Sequence, residues 1–260
     1  MKLEGKIAMV TGGGSGIGKA ICRAFAAEGA GIGVVDLDLK KAQSVADELK
    51  KGGVRALAVE TDVGFSKEVR GAVERITAEL GPIDILVNNA GIIIQAETVE
   101  MREEDWDKIL RNNLKSVFLC CREVARRMIE RGKGGKIINI SSIHARISEP
   151  SAGAYTAAKG GMEAFSRTLA SELAPHKINV NYIEPGATYT ELTIPMYTES
   201  VKKSLYERVP LKEIAQPEWI ASGAVFLASE DSRYMTGQAL ILDGGYVMDG
   251  SLPGAHYWEE

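Results

Sequence analysis

Short apolar runs alternate with stretches of helical periodicity from one end of the chain to the other. That order predicts a parallel sheet covered by helices on both faces, a doubly wound α/β architecture. The first run, Ile7-Ala8-Met9-Val10, leads through a glycine-rich turn into a helical stretch from Lys19 to Glu28. Residues 31–35 read as the second strand, ending at Asp36, and 55–63 as the third. Charged helical stretches at 39–51 and 66–80 stop at Gly52-Gly53 and Gly81-Pro82. A fourth strand at 83–87 closes in Asn88-Asn89-Ala90-Gly91, and a fifth at 136–140 is followed by Ser141-Ser142. Two long helices are expected at 103–131 and 152–174. Strand six covers 178–183 and ends in Glu184-Pro185-Gly186, and a helix at 217–228 and a last strand at 239–243 complete seven strands. Residues 187–215 show little regular pattern, so a lid is expected there, and the tail 246–260 is not placed by pattern. With no repeat, low-complexity tract or linker, 1–260 is expected to be one domain.

The turn Thr11-Gly12-Gly13-Gly14-Ser15-Gly16-Ile17-Gly18 carries the first chemistry. Glycines let the chain turn sharply with N–H groups facing outward. A helix N-terminus adds unpaired donors and partial positive charge, and the two together favour a phosphate. Two loop types compete for these residues. Gly13 followed by Gly18-Lys19 fits most of the mononucleotide loop, but that loop then needs Ser or Thr for magnesium, and the chain has Ala20. A dinucleotide loop instead requires an acidic residue at the end of the second strand, which Asp36 supplies. In such a sheet ligands sit beyond the carboxyl ends of the strands, where Asp36, Asp62, Asn89, Ser142 and Pro185-Gly186 all fall.

Composition narrows the partners. The net charge of −4 comes without a basic block, which gives no support for nucleic acid or an anionic membrane, and no apolar run approaches membrane length. Cys22, Cys120 and Cys121 lie in helical sequence without metal-ligand spacing, so buried thiols in a reducing compartment and no metal site are expected. The N-terminus lacks a secretory segment, and a cytoplasmic protein is expected.

Tyr155 and Lys159 stand at i and i+4, on one helix face. A nearby ammonium favours tyrosinate, so the phenol is expected to titrate below its ordinary value of about 10 and to exchange a proton with an alcohol or carbonyl oxygen. Ser142, at a strand end, is placed to hydrogen-bond the same oxygen. Together these residues resemble the short-chain dehydrogenase/reductase family in its single-domain form. The resemblance extends through Thr11 to Gly18, Asp62-Val63, Asn88 to Gly91, Asn113-Leu114, Ser142, Tyr155 to Lys159, and Pro185-Gly186 to Thr190. It implies a Rossmann-type seven-stranded sheet, commonly in a homotetramer built on the two long helices. It also implies Tyr155 as general acid/base, Ser142 positioning the reacting oxygen, Lys159 on the nicotinamide ribose, and Asn113 holding a relay water. Asn113 rather than Asn112 precedes the Leu of the family pattern.

For the cofactor, the resemblance implies phosphates at Gly12, Ser15, Gly16, Ile17 and Gly18. Adenine then lies by Asp62-Val63, ribose near Asn89-Ala90, and the carboxamide and nearby phosphate on Thr188 and Thr190, with Pro185 and Gly186 also among the cofactor-binding residues. Asp36 should accept hydrogen bonds from a ribose diol and repel a 2′-phosphate, and neither Ser15 nor Leu37 supplies a positive charge, so NAD is preferred over NADP. His144, Arg146, Glu149, Glu184 and Tyr189 are candidate substrate contacts, with a solvated loop or subunit contact as the alternative for His144 and Arg146. Ser141-Ser142-Ile143-His144 is similar to the Ser-Ser-Val-His stretch of glucose 1-dehydrogenases in this family, which points to a small-molecule sugar or polyol interconverted between alcohol and ketone, or lactol and lactone. A 3-oxoacyl-carrier-protein reductase and a non-enzymatic NAD sensor are the alternatives. The sensor would be expected to lack part of the Asn113, Ser142, Tyr155 and Lys159 set.

Overall fold

The computed structural model describes residues 1–250. Among these, seven parallel strands lie in the order β3-β2-β1-β4-β5-β6-β7. They are β1 Ile7–Thr11, β2 Gly31–Asp36, β3 Ala56–Glu60, β4 Ile85–Asn88, β5 Gly135–Ile140, β6 Ile178–Pro185 and β7 Ala239–Leu242. The helices are α1 Gly16–Ala27, α2 Leu39–Lys51, α3 Ser66–Glu79, α4 Glu103–Leu110, α5 Ser116–Arg131, α6 Gly153–Leu173, α7 Glu199–Arg208 and α8 Pro217–Ala228.

The continuous apolar character of the central strands follows from burial on both faces. In β1, Ala8 and Val10 join the layer of Ile21 and Phe25 from α1 and Ile220 and Leu227 from α8. Ile7 and Met9 point the other way, into the layer of Val73 and Ile76 from α3 and Val124 and Met128 from α5. The chain runs outward from β1 to β3, then returns to pair β4 on the other flank of β1. A crevice therefore opens at the carboxyl ends where the order reverses. Among the described residues no helix is long and apolar enough to cross a membrane.

Three expectations from sequence change. The helix expected at 103–131 is not one α-helix, because a π turn, Arg111–Lys115, separates α4 from α5. The extra residue in that turn goes with Asn113, which is fully buried and bonded at both ends of its amide to Ile92. The irregular stretch 187–215 contains α7, capped by the Thr198 hydroxyl accepting from the Val201 N–H. No residue of α7 is buried, so no apolar stripe marks it. Part of the unplaced tail is fixed as well, since the Asp243 carboxylate accepts from the N–H groups of Gly245 and Val247 and holds the turn that carries Tyr246. Residues 251–260 lie outside the described residues. The three cysteines are buried, and burial pushes their thiols up.

Candidate active site

A cleft of about 1160 Å³ runs along the carboxyl edge of the sheet. Its floor at one end is the glycine turn, where Gly12 and Gly16 have φ of +62° and +49°. Backbone approaches backbone so closely here that a Cβ on Gly18 would stand 2.1 Å from the Gly12 carbonyl oxygen. Asn89 clamps the turn, its amide donating to the carbonyls of Thr11 and Gly12 at 3.0 and 3.1 Å. The Thr11 hydroxyl accepts from the N–H groups of Asn89 and Ala90. Both donors of the Asn89 side chain are thus committed to shaping the turn. Ser15 caps α1 with extended backbone and no side-chain capping bond, which leaves the first N–H groups of the helix facing the cleft.

Beside the turn, each oxygen of the Asp36 carboxylate accepts one main-chain N–H, from Gly14 at 2.9 Å and from Asp38 at 3.0 Å. Asp62 and Val63 follow the end of β3 and line the same cleft, one oxygen of Asp62 accepting from the Gly64 N–H. On the opposite wall, Gly186 packs so tightly on β7 that a Cβ would meet the Asp243 Cα at 2.7 Å. The chain then carries Thr188 and Thr190 back over the glycine turn, and a Cβ on Gly16 would lie 3.2 Å from Thr190. The Thr188 N–H donates to the Tyr197 hydroxyl and its own hydroxyl donates to the Gly186 carbonyl.

Ser142, Tyr155 and Lys159 converge at the centre of the cleft. Ser142 leaves β5 and caps the short turn that follows, its oxygen accepting from the His144 N–H. The Lys159 ammonium donates to the Ile140 carbonyl oxygen at 2.6 Å and lies 5.6 Å from the centre of the Tyr155 ring. Burial pushes the Tyr155 phenol up to about 12, against the hydrogen bond from Ser142 and with help from Glu149 and Tyr197. Burial lowers Lys159 to about 8. The phenol shift is opposite in sign to the expectation from helical spacing, because desolvation of the oxygen outweighs its hydrogen bond with Ser142. Asn113 stands behind this group and touches the cleft only through the Ile92 loop that it holds.

The substrate candidates divide. His144 and Glu149 line the cleft, paired at 3.4 Å, with His144 Nδ1 unpartnered. Arg146 and Glu184 do not line it. Glu184 belongs to β6 with its side chain fully buried, and it takes the Arg146 guanidinium as its partner. Tyr189 also turns away, its hydroxyl on that of Tyr206 and its ring edge-on to Tyr197.

A family model described as enoyl-(acyl-carrier-protein) reductase matches residues 12–247. The chain belongs to the short-chain dehydrogenase/reductase family. These are oxidoreductases of CH–OH groups that use a nicotinamide cofactor. Among its relatives is the D-threitol dehydrogenase of Mycolicibacterium smegmatis, 39% identical over 249 residues, covering 95% of each chain. The 3-oxoacyl-[acyl-carrier-protein] reductase FabG of Thermotoga maritima is 37% identical over 248 residues, 95% of this chain and 100% of that one. Among solved structures, a gluconate 5-dehydrogenase from Burkholderia cenocepacia in complex with NADP and tartrate superposes with a TM-score of 0.92. It is 35% identical and covers 95% of this chain and 97% of its own.

As a member of this family, the chain has cleft residues that sequence pattern did not single out. Lys41, on the first turns of α2, lines the cleft beside Asp36, and a Cβ on Gly14 would touch both side chains. Tyr197, Arg208 and Tyr246 close the far end, with the Arg208 guanidinium 5.2 Å from the Tyr246 ring centre. The spacing of Lys41 from Asp36 was available in the sequence. The pairing of Arg208 with Tyr246 joins segments that have no local pattern in common.

Proposed function

We propose that the protein is an NAD-dependent dehydrogenase of a sugar or polyol, interconverting a secondary alcohol and a ketone, or a lactol and a lactone. The observation that carries this reading is the convergence of Ser142, Tyr155 and Lys159 in one cleft with the glycine turn and Asp36. The residues present fit a dinucleotide: bare backbone and a helix N-terminus for its phosphates, and the Asp36 carboxylate for a ribose diol. When bound, the nicotinamide accepts or delivers the hydride. Tyr155 gives the proton to a carbonyl oxygen or takes it from an alcohol, Ser142 donates a hydrogen bond to the same oxygen, and Lys159 favours the phenolate and holds the ribose. Asn113, with both ends of its amide on Ile92, offers only main-chain groups to a relay water. Residues 187–215, of which Thr190 lies against Gly16 of the glycine turn, act as the lid. Trp106 and Phe118, exposed on α4 and α5, support assembly into a homotetramer through the long helices.

The polyol reading is supported by the Glu149–His144 pair beside Tyr155. A carboxylate there accepts hydrogen bonds from substrate hydroxyls and disfavours an anionic substrate. Glu149→Gln is expected to raise KM for polyols roughly tenfold, since a hydrogen bond to a charged group is worth about 1.5–3 kcal/mol. Turnover of a simple secondary alcohol should change little, and equal loss on both would assign Glu149 a structural role. The function itself is tested by following NADH formation at about 340 nm with NAD and NADP over aldoses, polyols, hydroxy acids and secondary alcohols. Turnover of one sugar class with NAD supports the reading. No turnover of sugars, together with NADPH-driven reduction of acyl thioesters, overturns it in favour of an acyl-carrier-protein reductase.

A further inference from the structure

Behind Ser142, three elements bring together charged side chains that none of the steps above uses. Glu163 stands on α6 one turn beyond Lys159, 6% exposed, and the Ser141 hydroxyl donates to its Oε1 at 2.7 Å. Glu184, fully buried on β6, is paired with Arg146 from the turn after Ser142, and its Oε1 has no hydrogen-bond partner. Lys159 is itself 4% exposed, and its hydrogen bond to Ile140 goes to a neutral carbonyl. A buried ammonium on a neutral acceptor has lost hydration without gaining a counter-charge. The i and i+4 spacing places Glu163 on the Lys159 face of α6.

We propose that Glu163 is a positioning residue for Lys159: Ser141 fixes its carboxylate on the Lys159 face of α6, and its negative charge keeps Lys159 in the protonated form that the reaction uses. This rests on the reading of Lys159 as catalytic. The other titratable group against Lys159 is Tyr155. Glu163 is faced by Glu184 from β6, Arg146 from the turn after Ser142, and Arg167 from its own helix. Tyr182 of β6 is hydrogen-bonded to Arg167 and acts on Arg146. Burial and Glu184 hold Glu163 above the ordinary carboxylate range, while Ser141, Arg146 and Arg167 favour its ionised form. Glu163 in turn raises Lys159 against the burial that lowers it. Arg146 and Glu184 pair with each other, which leaves Glu163 as the carboxylate that acts on Lys159.

The test is the pH dependence of kcat for ketone reduction at saturating NADH, which should break near the Lys159 titration at about 8. Glu163→Gln keeps an acceptor for Ser141 and removes the charge. Its break is expected to move toward acid by about one pH unit, the scale of a charge one helical turn away in a half-screened interior. Glu163→Asp should return the break toward its original position. If the Gln variant does not fold, Ser141→Ala, which frees the carboxylate, should move the break in the same direction by a smaller amount. A break that stays in place in the folded Gln variant, or in Ser141→Ala, overturns the proposal. Lys159→Met separates the two readings: an active Met variant removes the catalytic role of Lys159, whereas an inactive one beside an unmoved break in Glu163→Gln overturns the role of Glu163 alone.

Discussion

Tyr155→Phe is expected to lower kcat by about a thousandfold in both directions while changing NAD affinity by less than about threefold. General acid–base catalysis contributes about a hundred- to ten-thousandfold, and the phenol oxygen is the only atom removed. The ring remains, and with it the contact to Lys159 and the packing of Tyr155 against the cluster of Ile109, Ala154 and Ala158. The Ser142 oxygen keeps its bond from the His144 N–H, so folding should lose little, about 1 kcal/mol. Single-turnover hydride transfer and a fluorescence titration with NAD separate the two effects. A kcat within about tenfold of the parent would remove Tyr155 from proton transfer, since that falls below the range such a group supplies. Parallel loss of NAD binding would make its role structural.

Tyr155 and Lys159 also set the pH profile. Reduction needs the neutral phenol and the ammonium, which coexist below the Lys159 value of about 8. Its rate should be level at lower pH and fall above that point. Oxidation needs the phenolate, whose population rises tenfold per pH unit far below the Tyr155 value of about 12. Above about 8 the loss of the ammonium offsets that gain, so oxidation should rise and then level off. A reduction rate that rises with pH through this window would contradict both assignments.

The central strands could be read from sequence because burial on both faces makes them continuous apolar runs. The glycine turn could be read because only glycine tolerates a carbonyl 2.1 Å from where Cβ would be. What stayed hidden has a physical cause in each case. A π turn differs from an α turn by one residue and has no composition of its own, so 111–115 reads like the helix around it. Glu184 follows a strand in sequence and looks like an edge residue facing ligand. In fact β6 continues to Pro185, and alternation turns Glu184 away from the face that Ile183 shares with α8. Helical spacing brought Tyr155 and Lys159 together, but spacing carries no measure of burial, and burial decided the sign of the phenol shift. The five-residue step from Asp36 to Lys41 crosses a strand end and a helix cap. Their meeting beside Gly14 depends on how α2 folds back.

That meeting makes Asp36 the position with the other large expected effect. Asp36→Asn is expected to reduce the ratio of kcat/KM for NAD over NADP by about a hundredfold. The parent carboxylate would stand against a 2′-phosphate of nearly two negative charges. Repulsion between unit charges about 4 Å apart is roughly 1–4 kcal/mol from water to a surface-like environment, and about 2.7 kcal/mol is a hundredfold. Asn is the same shape, and its oxygen can still accept from either Gly14 or Asp38, while the other main-chain bond is lost because the amide NH2 cannot accept. Once the carboxylate is gone, Lys41 is the cation beside the exchanged group. Adding Lys41→Ala to Asp36→Asn should therefore take back part of the gain with NADP, the part that the ammonium adds beyond the lost repulsion, and leave NAD nearly unchanged. Initial-rate kinetics with both cofactors on the parent and the two variants check this. An unaltered ratio in Asp36→Asn would mean that the ribose end of the cofactor is bound elsewhere in the cleft. A double variant that keeps its NADP activity would remove Lys41 from the contact while leaving Asp36 in place.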